Sequence, residues 1–197
     1  HVERLFHSAK TIRLTVPLLP EAVLGALASF VAAIPEKSYN LKMLCVAGNL
    51  YLFATSPLFV PEKSYKQGVS VITFAGERIF PQAKTLNMLM SYLAHAQAKE
   101  QLAYDALLID NEGYIREGTR TNFFFTDGET IFTPPADTVL EGVTKLTLTE
   151  ALREKSIAVV ERKMHKMSFI NTEASYSLPP PPKCCLILQL IGRNAKF

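Results

Sequence analysis

The chain of 197 residues is 48% hydrophobic and 20% charged, with a formal net charge of +3. This composition indicates a globular protein with a sizeable core, and the mild, scattered charge indicates neither nucleic acid nor an anionic membrane as a partner. No apolar run reaches membrane-spanning length. The three cysteines, Cys45, Cys184 and Cys185, have no disulfide or metal-ligand spacing, so we predict no metal site and a reducing, cytoplasmic location.

The beginning of the chain predicts a small α/β lobe. Apolar residues at helical spacing indicate a helix over residues 1–10, and Pro20 suits the first turn of a second helix because proline lacks an N–H there. A Gly48-Asn49 turn separates two apolar runs that predict strands, 41–47 and 50–54. The polar, proline-bearing segment 56–68 then predicts a linker.

Lys84 begins the segment that contains most of the candidate functional residues. We expect it at or just before a helix, because apolar residues follow it at helical spacing. The residues that recur at this spacing are Leu86, Leu89, Met90, Leu93 and Gln97. A lysine in such a setting can have a lowered pKa and a reactive neutral amine. The alternative is an ordinary exposed lysine at a helix start. Taken alone, Lys84 favours this alternative, because most lysines are exposed.

Glu117 and Thr144 are the other two notable residues of this segment. Glu117 ends the second of two paired strands, 106–109 and 114–117, and the next hairpin turns at Asp127-Gly128. Thr144 lies near the start of a helix whose inner face is predicted to carry Leu146, Ala151 and Leu152. Glu117 could instead pair with a neighbouring arginine, and Thr144 could be an ordinary N-cap.

Together these residues suit a cofactor with an aldehyde, a basic ring nitrogen and a phosphate, which are the three features of pyridoxal 5′-phosphate (PLP). A lysine amine binds the aldehyde, a carboxylate keeps the ring nitrogen protonated, and a helix N-terminus binds the phosphate. Each of Lys84, Glu117 and Thr144 could have an ordinary structural role, but the three in this order favour PLP. Arg4, which lies off the apolar stripe of the first helix, is by itself a surface charge.

Four ordered motifs carry a resemblance to a known family. They are H-V-E-R-L-F-H-S-A-K at the start, R-I-F-P-Q-A-K-T-L-N around Lys84, E-G-T-R-T-N-F-F-F at Glu117, and L-E-G-V-T-K. Over roughly residues 1–162 the chain resembles the class IV aminotransferases, the fold-type IV PLP enzymes that include branched-chain and D-amino acid aminotransferases and aminodeoxychorismate lyases.

The resemblance implies an α+β fold with an incomplete small N-terminal α/β lobe and a larger, β-barrel-like lobe with flanking helices. We assign residues 1–60 to the small lobe, 61–178 to the PLP-binding lobe and 179–197 to an atypical proline-rich tail. In the family, strands precede the first motif and the chain continues past the last residue seen here. We therefore expect this chain to be truncated at both ends.

The resemblance also implies a role for individual residues. Lys84 is expected to form the internal aldimine with PLP and to shuttle the proton, and Glu117 to partner the pyridine nitrogen. The remaining cofactor-binding residues are expected to contact the phosphate or to support the site, and they are Arg4, Asn122, Val143, Thr144 and Ser177.

The implied reaction is transamination between a branched-chain or similar amino acid and a 2-keto acid, in a homodimer. Met88 stands where branched-chain enzymes often carry tyrosine, which favours the D-amino acid or lyase branches slightly. The alternatives are an aminodeoxychorismate lyase that releases pyruvate and a truncated, non-catalytic remnant of the family. The altered tail after Ser177 supports the remnant.

Overall fold

A computed structural model describes residues 1–35, 38–57, 59–170 and 183–187. The chain falls into two compact units. The first contains His1–Val60 and Ala83–Thr85, and the second contains Pro61–Gln82 and the described chain from Leu86 onward. Among the described residues, no helix combines the length and apolar character needed to cross a membrane.

The first unit consists of two helices and a β-hairpin. Its elements are α1 (Val2–Thr11), α2 (Pro20–Ala32), β1 (Asn40–Val46) and β2 (Asn49–Thr55). The two strands are antiparallel, with Val46 opposite Asn49. The turn is therefore Ala47-Gly48, one residue earlier than predicted, and both residues have positive φ as a tight hairpin turn requires. The predicted helices and strands of this region are confirmed.

The second unit alternates short strands with four helices among its described residues. The elements are α3 (Glu62–Gln67), β3 (Val71–Ala75), α4 (Leu89–Glu100), β4 (Asp105–Ile109), β5 (Tyr114–Gly118), β6 (Asn122–Thr126), β7 (Ile131–Thr133), α5 (Val143–Glu154), β8 (Val159–Glu161), β9 (Met164–His165), α6 (Lys166–Ile170) and β10 (Lys183–Ile187). The strands form two four-stranded sheets, β3-β4-β5-β9 and β10-β6-β7-β8. The predicted mixture of helices and strands is confirmed.

The main core of the second unit joins the two sheets. Its buried residues come from β4, β5, β6, β7 and β9, and they are Leu107, Ile109, Ile115, Phe123, Phe125, Phe132 and Met164. The Phe125 ring stacks on those of Phe123 and Phe132, with centroids 5.7 and 5.2 Å apart. Because β5 and β6 both contribute to this core, the loop between them starts and ends on fixed strands.

The helix after Lys84 starts later than predicted. Helix α4 begins at Leu89, so Lys84 lies in a loop rather than at a helix start. Of the apolar residues at helical spacing, Leu89 is 67% exposed and Met90 packs against the core, while the small residues Ala94 and Ala98 are buried against β4. Small side chains let a helix approach a sheet closely. The spacing of large apolar residues does not predict which small residues make this approach.

Three further predictions need correction. Residues 56–68 contain helix α3 and are not only a linker. In α5 the predicted inner residue Leu146 is 48% exposed, and the buried residue is its neighbour Lys145. Finally, β10 of the proline-rich tail pairs antiparallel with β6, and the sequence did not predict this strand.

Candidate active site

Glu117 is positioned by an irregularity in β5. Leu107 pairs with Gly118 and Ile109 with Ile115, so two residues of β5 lie opposite the single residue Leu108. Such a bulge redirects a side chain relative to a regular strand and is common beside functional sites. Glu117 is thereby a buried carboxylate, 5% exposed, near the end of β5.

Two groups hold the Glu117 carboxylate within the second unit. The guanidinium Nη1 of Arg78 lies 3.3 Å from Oε1, and the backbone N–H of Leu140 donates to Oε2 at 3.3 Å. A carboxylate has about four acceptor positions, and these two contacts use one on each oxygen. A cation beside a buried carboxylate also favours its ionised form.

The loop from Gly118 to Thr121 is pinned from behind by Asp105. The Asp105 carboxylate is 0% exposed and accepts hydrogen bonds from the hydroxyls of Thr119 at 2.5 Å and Thr121 at 3.1 Å. A Cβ at Gly118 would lie 2.7 Å from Asp105 Oδ2 and closer still to the Thr121 hydroxyl, so this position needs glycine. The loop between Glu117 and Asn122 is therefore rigid.

Helix α5 presents an open N-terminus. It starts at Val143, as predicted, with Thr144 in its first turn, and no side chain caps it at Gly142. The first N–H groups of a helix have no partner within the helix, and together with the helix dipole they attract anions. Asn122 donates its side-chain amide to the Leu140 carbonyl at 2.9 Å, just before this helix.

Lys145 adds a buried positive charge to the same turn. It is 6% exposed, and its Nζ has no hydrogen-bond partner among the described residues. Burial lowers the pKa of Lys145, and the carboxylates of Glu161, Glu141 and Glu117 oppose this shift only in part. A buried ammonium without a partner is costly, which is a reason to expect an anionic ligand nearby.

Lys84 and Arg4 belong to the first unit. The backbone N–H of Lys84 donates to the Ser8 hydroxyl of α1 at 2.9 Å, so the helix that carries Arg4 also holds the Lys84 loop. The Lys84 residue is exposed, whereas the preceding Ala83 is fully buried. Arg4 Nη2 lies 3.2 Å from the His1 ring nitrogen Nδ1.

The structure thus brings Glu117, Asn122, Val143 and Thr144 together in the second unit and joins Lys84 to the Arg4 helix in the first. Ser177 lies outside the described residues. No cluster of histidine, cysteine or acidic residues in the described part of the chain could hold a metal ion.

Sequence reasoning missed three residues that act on this site. Arg78, Asp105 and Lys145 each contact or surround a predicted site residue. Arg78 and Lys145 lie inside the quoted motifs, and this position could have marked them as residues of the site. Asp105 begins a strand, where nothing in the sequence marked it as buried.

Comparisons with known proteins identify the family. Residues 1–174 match the family described as amino-transferase class IV. The chain is 28% identical over 180 residues to a "Probable branched-chain-amino-acid aminotransferase" of Rickettsia felis, covering 83% of this chain and 62% of that protein. The chain therefore spans less than two thirds of that relative.

Solved structures are also similar. One is named "Putative 4-amino-4-deoxychorismate lyase" and has a TM-score of 0.76 at 26% identity, covering 85% of this chain and 68% of that one. Another is the PLP-bound form of "A hypothetical aminotransferase from Mycobacterium tuberculosis", with a TM-score of 0.66 at 25% identity, covering 87% and 68%. These similarities confirm the predicted fold class, and the chain belongs to the class IV aminotransferases.

Proposed function

We propose that this chain binds PLP and transfers an amino group between a branched-chain or similar amino acid and a 2-keto acid. The buried Glu117 carboxylate, paired with Arg78 at 3.3 Å, is the observation that carries the proposal. An ionised carboxylate suits a protonated ring nitrogen.

The residues of the second unit fit the other end of the cofactor as well. The uncapped start of α5 provides the backbone N–H groups of Val143 and Thr144 and the Thr144 hydroxyl, which suit a phosphate. The Lys145 ammonium has no hydrogen-bond partner among the described residues, and a bound phosphate would compensate its charge. A phosphate and a pyridine nitrogen therefore both have matching groups within one unit.

Residues of the first unit supply the reactive amine. When bound, PLP provides an aldehyde and an electron-withdrawing ring. Lys84 Nζ holds the cofactor, and in its neutral form it takes the proton from the α-carbon of the amino acid and later returns it. Glu117 keeps its negative charge beside the ring nitrogen, and Arg4 is proposed as a phosphate ligand.

A spectroscopic experiment tests this function. Wild-type protein with PLP is expected to show a visible absorbance band that borohydride bleaches, and Lys84→Ala is expected to lack it. Lys42→Ala is the matched control because Lys42 is an exposed lysine of β1, in the same unit. Peptide mapping after reduction should find the pyridoxyl group on Lys84. A labelled Lys42 with an unlabelled Lys84 would contradict the proposal.

A second candidate is the lyase reaction, which the similarity to the lyase-named structure supports. The lyase eliminates pyruvate from aminodeoxychorismate and needs no amino acceptor. Wild-type protein is therefore assayed with each amino acid, with and without 2-oxoglutarate, and with aminodeoxychorismate alone. Turnover that requires the keto acid supports the aminotransferase, and pyruvate release without it supports the lyase. A band without turnover supports the non-catalytic remnant.

We further propose that the protein is a cytoplasmic homodimer, because the family that it resembles commonly forms dimers. Light scattering of purified protein measures the oligomeric state directly. A monomer at micromolar concentration would contradict the dimer.

A further inference from the structure

Leu140 is held from both sides by the two end residues of the E-G-T-R-T-N motif. Its N–H donates to Glu117 Oε2 at 3.3 Å, and its carbonyl accepts from Asn122 Nδ2 at 2.9 Å. Leu140 is buried, so neither backbone group has water as a substitute partner. We call this arrangement, made by Glu117, Asn122 and Leu140, the Leu140 clamp.

The clamp is rigid because its two side chains come from fixed strands. Glu117 lies in β5 and Asn122 begins β6. The intervening loop closes on itself through the Gly118 N–H, which donates to the Thr121 carbonyl at 2.9 Å. Movement of Leu140 would therefore require two strands to shift or a buried hydrogen bond to break.

Asn122 also contacts the residue that starts helix α5. A Cβ added at Gly142 would lie 2.1 Å from Asn122 Oδ1. The backbone of Gly142 has φ −73° and ψ 141°, which any residue adopts. Glycine is thus needed here for space beside Asn122 and for no reason of backbone conformation.

We propose that Asn122 is a positioning residue that sets the first turn of α5, through Leu140 and Gly142, for the cofactor phosphate. This assignment rests on the proposed function. In this assignment Asn122 acts through the protein, because its amide donates to the Leu140 carbonyl and its Oδ1 occupies the space beside Gly142. One motif thereby fixes the partner of the ring nitrogen and the phosphate turn relative to each other.

Hydrogen exchange of the cofactor-free protein tests the structural half. Asn122→Leu keeps the side-chain shape but removes the donor to the Leu140 carbonyl. Leu140 then loses one of its two anchors and should open locally more often, so its N–H, which donates to Glu117, is expected to exchange about tenfold faster or more. Thr133→Val is the matched control, because the Thr133 hydroxyl donates to the buried Phe123 carbonyl at 3.0 Å in the same sheet. Unchanged exchange at Leu140 in Asn122→Leu would overturn the proposal.

Binding of two aldehydes tests the functional half. If Asn122 acts through the phosphate turn, Asn122→Leu should weaken PLP binding roughly tenfold, about the effect of one lost hydrogen bond, and leave pyridoxal, which lacks the phosphate, nearly unchanged. Equal losses for both aldehydes would mean that Asn122 acts on the ring, against the proposal. If wild type bound neither aldehyde, the proposed function would fail, and the exchange result would still decide the clamp.

Gly142→Ala gives an independent check through its dependence on Asn122. In the wild-type background the new methyl group meets Asn122 Oδ1, so the midpoint of thermal unfolding should fall. In an Asn122→Ala background the space is open, and the same substitution should have little effect. Equal shifts in both backgrounds would show that the contact between Asn122 and Gly142 does not set the turn.

Discussion

The hydroxyl of Thr119 donates to the buried carboxylate of Asp105 at 2.5 Å, and this bond ties the loop after Glu117 to the start of β4. A second hydroxyl, that of Thr121, binds the other carboxylate oxygen at 3.1 Å. Asp105 is not itself a residue assigned to the cofactor. It nevertheless determines where the loop between Glu117 and Asn122 lies.

Two substitutions of Asp105 should distinguish the contribution of its hydrogen bonds to stability from that of its side-chain shape. Asp105→Ala leaves two buried hydroxyls without their acceptor and is expected to lower the free energy of unfolding by about 2–4 kcal/mol. Asp105→Asn should cost clearly less, because the Thr121 hydroxyl can turn and accept from the new amide. Urea denaturation of both variants measures the difference. Equal losses would show that the network contributes little.

His95 should make stability depend on pH. Burial lowers the pKa of His95 and the charge of Arg120 lowers it further, while Asp105, whose Oδ1 is 3.8 Å from Nδ1, raises it less. At that distance no hydrogen bond forms, so the lowering effects dominate. The folded state therefore disfavours protonated His95, and stability is lost as pH falls below about 6.5, the unfolded value.

The control for this effect is His95→Gln, which cannot titrate. The difference in unfolding free energy between wild type and His95→Gln should be constant well above pH 6.5 and should move against wild type as pH falls below about 6.5. Other titrating groups cancel in this difference. A difference that moves in favour of wild type on acidification would mean that the ion pair with Asp105 dominates.

The elements of this fold were largely predictable because their signals are local. The Asp127-Gly128 turn, the strands before it and the start of α5 at Val143 follow from turn chemistry, alternation and the glycine before the helix. The order of motifs likewise identified the family. These features depend on neighbouring residues, so a single sequence contains them.

The features that sequence reasoning missed depend on contacts between distant residues. Nothing local shows that Arg78 pairs with Glu117, 39 positions later, or that Ala94 rather than Leu93 faces the sheet. Lys145 is the clearest case, because a lysine in the first turn of a helix is normally exposed. Only its packing makes it buried.

Lys145→Met is expected to stabilise the cofactor-free protein by about 1 kcal/mol or more, because it removes a buried charge from the positive end of a helix dipole. The pKa of Lys145 is lowered by burial. Protonation thus opposes folding at neutral pH, and the penalty disappears as pH rises towards 10.5, the ordinary lysine value. The gain in the variant should therefore shrink at alkaline pH, which thermal unfolding at two pH values measures.

Lys155→Met is the matched control on the same helix. Lys155 is exposed and follows the C-terminus of α5, where the helix dipole favours a positive charge. Its loss should leave stability unchanged or lower it by a few tenths of a kcal/mol, roughly the value of an exposed charge at a helix end. If both variants changed stability alike, burial of Lys145 would not be the cause.

Arg78→Met should raise the carboxyl pKa of Glu117, because it removes the guanidinium 3.3 Å from Oε1. The charge of Lys145, which interacts with Glu117, and the Leu140 N–H would remain. NMR titration of the glutamate carboxyl carbons in cofactor-free protein measures this shift without reference to activity. Arg78→Lys keeps the charge and should give a smaller shift.

The pairing of Arg78 with Glu117 should also affect the proposed reaction. A protonated Glu117 carboxyl can no longer favour a protonated ring nitrogen, so kcat of Arg78→Met should fall roughly tenfold and partly recover as pH rises. Arg153→Met, which removes an arginine of the last turn of α5, should change neither the titration nor kcat. A Glu117 titration that is identical in wild type and Arg78→Met would show that Arg78 does not control the charge of this carboxylate.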